Sequence, residues 1–239
     1  MTFAGAYYGW SELGVPFAFI VLFGFFFTSV WLSRIGVARK RRLDVAKGGP
    51  RDAWQVAANG GVATLCAVVA ALATRGHGIS HVAFALFWAF AGAYAAATAD
   101  TWSTEIGSAF GGTPRAIVGW QRVAAGESGG VTPLGTLAMM GGAAWIGFLW
   151  AAPQGSWSAL WIVAIAGCAG AIVDSLLGAT LQRVNFCPAC AHNTESLVHG
   201  CGTSTKPLRG LAWMNNDIVN ALGTLAGALV GGALFFALL

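Results

Sequence analysis

Charge is what this chain lacks. Only 9% of its 239 residues are Asp, Glu, Lys or Arg, while 56% are hydrophobic; a soluble domain carries about 25% charged residues. With a mean hydropathy of +0.67, that scarcity excludes a water-soluble globular domain. Alternation is missing as well. The apolar runs are continuous, which excludes a membrane barrel built from segments of about 10 alternating residues. Before the first apolar run only Glu12 is charged, and neither a basic stretch nor a convincing cleavage site is present. The start therefore reads as a mature N-terminus and not as a signal peptide. What remains is an all-α polytopic membrane protein, with residues 1–239 forming a single transmembrane domain.

Six spans of about 20 residues fit the apolar runs: about 15–32, 57–73, 80–98, 131–152, 157–182 and 212–238. The loops at about 34–56, 99–130 and 183–211 then share one side. Twelve of the thirteen Lys and Arg residues fall in them, Arg75 being the exception. The positive-inside bias makes these loops cytoplasmic and both termini external. The basic segment 34–51 reads as a topology signal that touches anionic headgroups, so membrane lipids are expected partners and nucleic acid is not. Eight of the nine acids lie on that same side, Glu12 excepted. The chemistry is therefore expected at the cytoplasmic face.

Polar residues gather there in four places. Gln55 and Asn59 enter span two four residues apart, on one helical face, a pattern that capping or interhelical hydrogen bonding also explains. Asp100, Thr101, Thr104 and Glu105 stand where span three gives out. Asp100 and Thr104 share a face, but Glu105 is five residues on, so joint metal binding by Asp100 and Glu105 requires a helix break. Beyond them come Arg115, Arg122 and the glycine-rich run Gly126, Glu127, Ser128, Gly129 and Gly130, whose N–H groups suit a phosphate or merely shape a turn.

In span five, Asp174, Gly178 and Gln182 form one stripe beside Ser175. An acid that deep in a span is a functional-site hypothesis by default, with a structural hydrogen bond as its rival. Span six opens on Asn216, Asp217 and Asn220, followed by Gly223, Gly227 and Gly231, a close-packing face. Finally, Cys187 and Cys190 in a Cys-x-x-Cys, with His199 and Cys201, could supply four soft ligands to a structural zinc.

These same residues carry a resemblance. The runs QVAANG at 55–60, ADTWSTEIG at 99–107, GESGGVT at 126–132, DSLLGATLQ at 174–182 and NNDIVN at 215–220 resemble the integral-membrane family that includes plant and cyanobacterial phytyl-phosphate kinase, and the cysteine loop fits it too. Asp100 through the Gly126 loop is more distantly similar to polyprenol kinases and phosphatidate cytidylyltransferases. The resemblance covers roughly residues 15–238. It implies a kinase that phosphorylates a prenyl monophosphate, such as phytyl phosphate, to the diphosphate. The more distant relatives suggest a nucleoside triphosphate donor, CTP or ATP, with magnesium.

On that reading Asp100 and Glu105 hold magnesium, with Asp174 and Asp217 as further ligands. Arg115, Arg122 and Lys206 are the available cations, and Gln55, Asn59, Thr101, Thr104, Ser175, Gln182, Asn216 and Asn220 contact substrate or nucleotide. The acceptor phosphate needs little deprotonation, and no His motif stands near Asp100 to act as a base. A lipid-phosphate cytidylyltransferase and a transporter or non-enzymatic membrane protein stay open as alternatives. So does the oligomeric state, a dimer included.

Overall fold

The structure is a computed structural model describing residues 3–37, 53–74 and 81–237, with side chains from residue 18 onward. Among the described residues there are six long helices: α1 (Phe3–Ser33), α2 (Ala53–Ala73), α3 (His81–Phe110), α4 (Pro133–Ala151), α5 (Trp157–Thr180) and α6 (Asn216–Ala237). Five of them, α2 to α6, are long and apolar enough to cross a membrane, and α1 adds a shorter apolar stretch, Ala18–Ser33. The chain is an all-α polytopic membrane protein, as its composition demands. Most of the basic segment and the Arg75 turn lie outside the described residues.

α3 is the hub. It packs against each of the other five helices, and 72% of its most apolar window is buried, against 17–39% in α2, α4, α5 and α6. Its sequence explains this. Ala91, Ala93, Ala95, Ala96, Ala97 and Ala99 are each at most 2% exposed, and side chains that small let neighbouring backbones approach. The predicted glycine face of α6 packs as expected. A Cβ on Gly227 would lie 2.6 Å from the Gly92 carbonyl oxygen, and one on Gly231 would lie 2.6 Å from that of Trp88. Outward faces carry Phe27, Leu65, Trp161 and Leu229, all exposed, as a lipid-facing surface requires.

Two departures from the sequence expectation matter. First, α3 does not end near residue 98. From residue 98 to 106 the sequence holds no glycine or proline, so the helix runs unbroken to Phe110 and stops where Gly112 adopts a left-handed φ of +77°. α4 then starts at Pro133, because the Thr132 hydroxyl accepts the Gly135 N–H at 2.9 Å and proline occupies the first turn. Second, the long connections are structured. β1 (Arg115–Ala116) and β2 (Gly130–Val131) form an antiparallel pair, while β3 (Val184–Cys187), β4 (His192–Thr194) and β5 (Lys206–Arg209) form an antiparallel sheet in the order β4–β3–β5.

Candidate active site

Four of the predicted polar residues, one from each of four helices, line a single cavity. Asn59 of α2, Asp100 of α3, Asp174 of α5 and Asn220 of α6 surround it with Ala96, Ala97, Gly170, Gly223 and Thr224. At 1.5 Å per residue, Asn220 lies about 6 Å from its helix end, Asn59 and Asp174 about 9 Å and Asp100 about 15 Å. All four measurements run from the same end of the bundle, the end that carries both β-structures. The cavity is small, about 10 Å³, roughly what a single water needs.

Packing makes room for the carboxylates. A Cβ on Gly223 would meet Asp174 Cβ at 3.0 Å and Oδ2 at 3.3 Å, and one on Gly170 would meet the Gly223 carbonyl oxygen at 2.6 Å. Small residues on α5 and α6 thus bring the two backbones together around Asp174. Asn59 donates its amide N–H to the Gln55 carbonyl at 2.9 Å, which fixes its rotamer. The Thr224 hydroxyl donates to the Ala221 carbonyl and lies 3.3 Å from the Ala58 carbonyl oxygen, joining α6 to α2. Sequence reasoning missed Thr224, although it lies four residues after Asn220 on the stripe that begins at Asn216.

The structure does not bring every predicted residue here. Because α3 is unbroken, Glu105 points about 140° around the helix from Asp100, and it does not line the cavity. The helix break on which a joint Asp100–Glu105 site depended is absent. Thr101 is buried and Thr104 exposed on the same helix. Asp217 and Asn216 open α6, one turn outside Asn220, and like Gln55 and Ser175 they stand off the cavity lining. Arg115 donates to the Trp120 carbonyl at 2.9 Å. Arg115, Arg122 and Lys206 are all exposed in the β-structures or the loop between β1 and β2. No Lys or Arg lines the cavity among the described residues.

The glycine-rich run is docked onto the end of α5. A Cβ on Gly129 (φ +79°) would strike Ala179, and Gly178 leaves space for the Gly129 N–H. Within the run, Glu127 N donates to the Ala124 carbonyl and Gly130 N to the Glu127 carbonyl, so two of its amides are already spoken for. Two residues that sequence reasoning missed hold it there. Glu195 Oε1 accepts from the Ser128 hydroxyl at 2.7 Å and from Gln182 Nε2 at 2.8 Å. Arg209 donates to the carbonyls of Gly178, Ala179 and Ser128, and lies 3.9 Å from Glu127. Nothing in a linear reading links positions 128, 182, 195 and 209. Their relation exists only once the sheet folds back on the helix end.

Further out, Cys187, Cys190, His199 and Cys201 converge, with one ligand atom from each within 4.8 Å of all the others. Cys187 Sγ lies 3.7 Å from Cys201 Sγ, and His199 Nδ1 lies 3.2 Å from Cys201 Sγ. The Thr203 hydroxyl, then His199, hold the Cys201 thiol down to about 6, whereas the hydrogen bond shared with Cys201 pushes Cys190 up to about 11.

A six-helix membrane bundle with an acid- and amide-lined cavity at one end defines the class of protein. Residues 2–228 match the family described as integral membrane protein DUF92, and the chain belongs to it. The resemblance read from the sequence motifs is to this membrane family. The chain is 33% identical to Protein PGR of Arabidopsis thaliana over 225 residues, which cover 86% of this chain and 77% of that protein. It is 29% identical to an uncharacterized membrane protein of Methanocaldococcus jannaschii over 215 residues, 89% of this chain and 74% of the relative. An uncharacterized membrane protein of Synechocystis is 25% identical over 227 residues, 92% and 74% of the two chains. No solved structure matches the chain.

Proposed function

We propose that the protein is a membrane phosphotransferase, a kinase that moves a phosphoryl group from CTP or ATP to a prenyl monophosphate such as phytyl phosphate, at the cytoplasmic face. The observation that carries the reading is the convergence of Asp100 and Asp174 with Asn59 and Asn220 on one cavity near the loop-bearing end of the bundle. Two carboxylates from two helices that face one space suit a divalent cation. The donors are all oxygen or amide groups, as a hard divalent ion such as magnesium requires. When bound, magnesium would neutralise charge on the transferring phosphates. Asp100 and Asp174 would hold it; Glu105 and Asp217, which stand off the cavity, drop out of that set.

The chain's own part is positioning. Asn59 and Asn220, on two neighbouring helices, can hydrogen-bond a phosphate oxygen at the cavity. The cavity itself holds about one water, so the reacting phosphates meet it only at its edge, and the nucleotide base and the prenyl chain lie outside it, the prenyl chain among the apolar helix faces. Phosphoryl transfer is governed by placement and charge neutralisation, and an ionised acceptor phosphate needs no strong base. The sidedness rests on the distribution of Lys and Arg.

The test is to incubate the purified, reconstituted protein with magnesium, CTP or ATP, and prenyl monophosphates of several lengths. Prenyl diphosphate carrying label from the γ-phosphorus is expected. Label entering lipid from the α-phosphorus of CTP would make it a cytidylyltransferase instead. No transfer from any donor, with no nucleotide binding, would return the transporter or non-enzymatic reading.

A further inference from the structure

Between α5 and α6 the chain builds a three-stranded sheet with almost no apolar core. From residue 183 to 215 its buried hydrophobic residues are Val184, Cys187 and Met214, while Leu197, Val198 and Leu208 are all more than half exposed. Three short strands need an apolar face or other support to hold their shape, and scaffolds this small are ordinarily stapled by disulfides or a metal. The five described cysteines are free thiols.

We propose that Cys187, Cys190, His199 and Cys201 bind one structural zinc ion, and that this ion keeps the sheet in the shape that clamps the 126–130 run onto the end of α5. The geometry fits a tetrahedral site. With Zn–S bonds of about 2.3 Å, the tetrahedral edge is about 3.8 Å, and Cys187 and Cys201 are 3.7 Å apart at sulfur. Each pair of ligands sits on its own tight turn. Cys187 closes β3, and Ala191 takes a φ of +50° to bring His192 back beside it. The His199 carbonyl accepts the Gly202 N–H at 2.8 Å, with Gly202 at φ +82°, which returns Cys201 toward the first pair. Three thiols and an imidazole select zinc over magnesium or calcium. Four protein ligands close the coordination shell, the mark of a structural rather than a catalytic ion.

The clamp follows from connectivity. β3 ends in the ligand Cys187 and pairs with β4 on one side and β5 on the other. β4 leads directly to Glu195, which holds Ser128 and Gln182, and β5 ends in Arg209, which holds Ser128, Gly178 and Ala179. Cys187 and Arg209 therefore lie on strands of one sheet, and Cys190, Glu195, His199 and Cys201 lie on the connections between those strands. This inference is independent of whether the protein is a kinase.

The test uses the full chain purified in detergent without chelator, with metal content measured by mass spectrometry and amide hydrogen exchange followed by segment. One zinc per chain is expected. Cys190→Ser and Cys201→Ser, both at exposed positions, should lose most of it. Stripping the wild-type protein with a strong chelator should raise exchange in 126–130 and 184–209 and leave α3 unchanged, a measurement that needs no variant to fold. Glu195→Gln should keep its zinc yet raise exchange in 126–130. Wild-type protein from zinc-replete cells that holds no zinc, or zinc content unchanged by both cysteine substitutions, would overturn the site. Zinc removal that leaves exchange in 126–130 unchanged, or zinc loss in Glu195→Gln, would overturn the clamp.

Discussion

Gly223→Ala tests whether the cavity is the working site, because the added methyl presses on Asp174 and on the Gly170 carbonyl one turn before it. The new Cβ would lie 3.0 Å from Asp174 Cβ, 3.3 Å from Oδ2 and 3.2 Å from the Gly170 carbonyl oxygen. Ordinary carbon contacts are about 3.5–4.0 Å, so the aspartate must retreat by about half an ångström. Overpacking of this kind costs about 1–3 kcal/mol, and replacing glycine by alanine within a helix returns about 1 kcal/mol. Net destabilisation should therefore be no more than about 2 kcal/mol, and the protein should still purify as a monodisperse species. Catalysis is less forgiving. A misplacement of 1 Å can cost about 100-fold, so half of that should lower turnover about tenfold and raise the magnesium concentration needed for half-maximal rate.

The assay is phosphoryl transfer to prenyl monophosphate across a magnesium titration, with a melting curve on the same preparation. Gly61→Ala is the control: its Cβ would meet nothing within 4 Å, so it should melt no lower than wild type and turn over normally. Full turnover in folded Gly223→Ala, with an unchanged magnesium requirement, would refute the assignment of Asp174 to the site.

Three further outcomes separate the parts of the reading. Asp100→Asn should lose at least ~100-fold in activity while still inserting and purifying, since a lost charged metal contact costs several kcal/mol and about 1.4 kcal/mol is tenfold; Glu105→Gln, on another face of the same helix, should keep most of its activity in the same assay. Arg209→Gln should lower thermal stability by about 1–2 kcal/mol, because it removes charge-assisted hydrogen bonds to the last turn of α5, and a melting curve equal to wild type would sink that role. A cysteine placed at Gly49 should react with a membrane-impermeant reagent only from inside, and one at Gly76 only from outside, the reverse pattern overturning the cytoplasmic placement.

How much of this was legible in the sequence depends on how far apart the cooperating residues lie. Span positions follow from local hydropathy and came within a few residues at most ends. The polar sites of α2, α5 and α6 were also legible, because an acid or amide inside an apolar run stands out without any partner. The pairing of Asp100 with Glu105 was not. It took closeness along the chain for closeness in space, and took the end of the apolar run for the end of the helix. A helix stops where its hydrogen bonds or its dihedral angles are broken, and between 99 and 106 nothing breaks either. Asp174, some seventy residues from Asp100, is the acid that shares the cavity with it, and only the packing of Gly170 and Gly223 between α5 and α6 puts it there.

The glycine-rich run shows the other kind of limit. Glycines beside Ser128 and Glu127 suit a phosphate cradle and a docked turn equally well, and composition cannot separate them. Contacts do. Gly129 sits against Ala179 so closely that no side chain fits, and Arg209 ties the Ser128 carbonyl to those of Gly178 and Ala179. Gly178 is one turn beyond Asp174 on α5, so in an α-helix its N–H bonds to the Asp174 carbonyl. The polar layer thus reaches the cavity through the last turns of α5, by fixing the helix end from which Asp174 is presented. Loosening that layer should then weaken the site by letting α5 fray inward, and Asp174 lies only about 9 Å from where the fraying would begin.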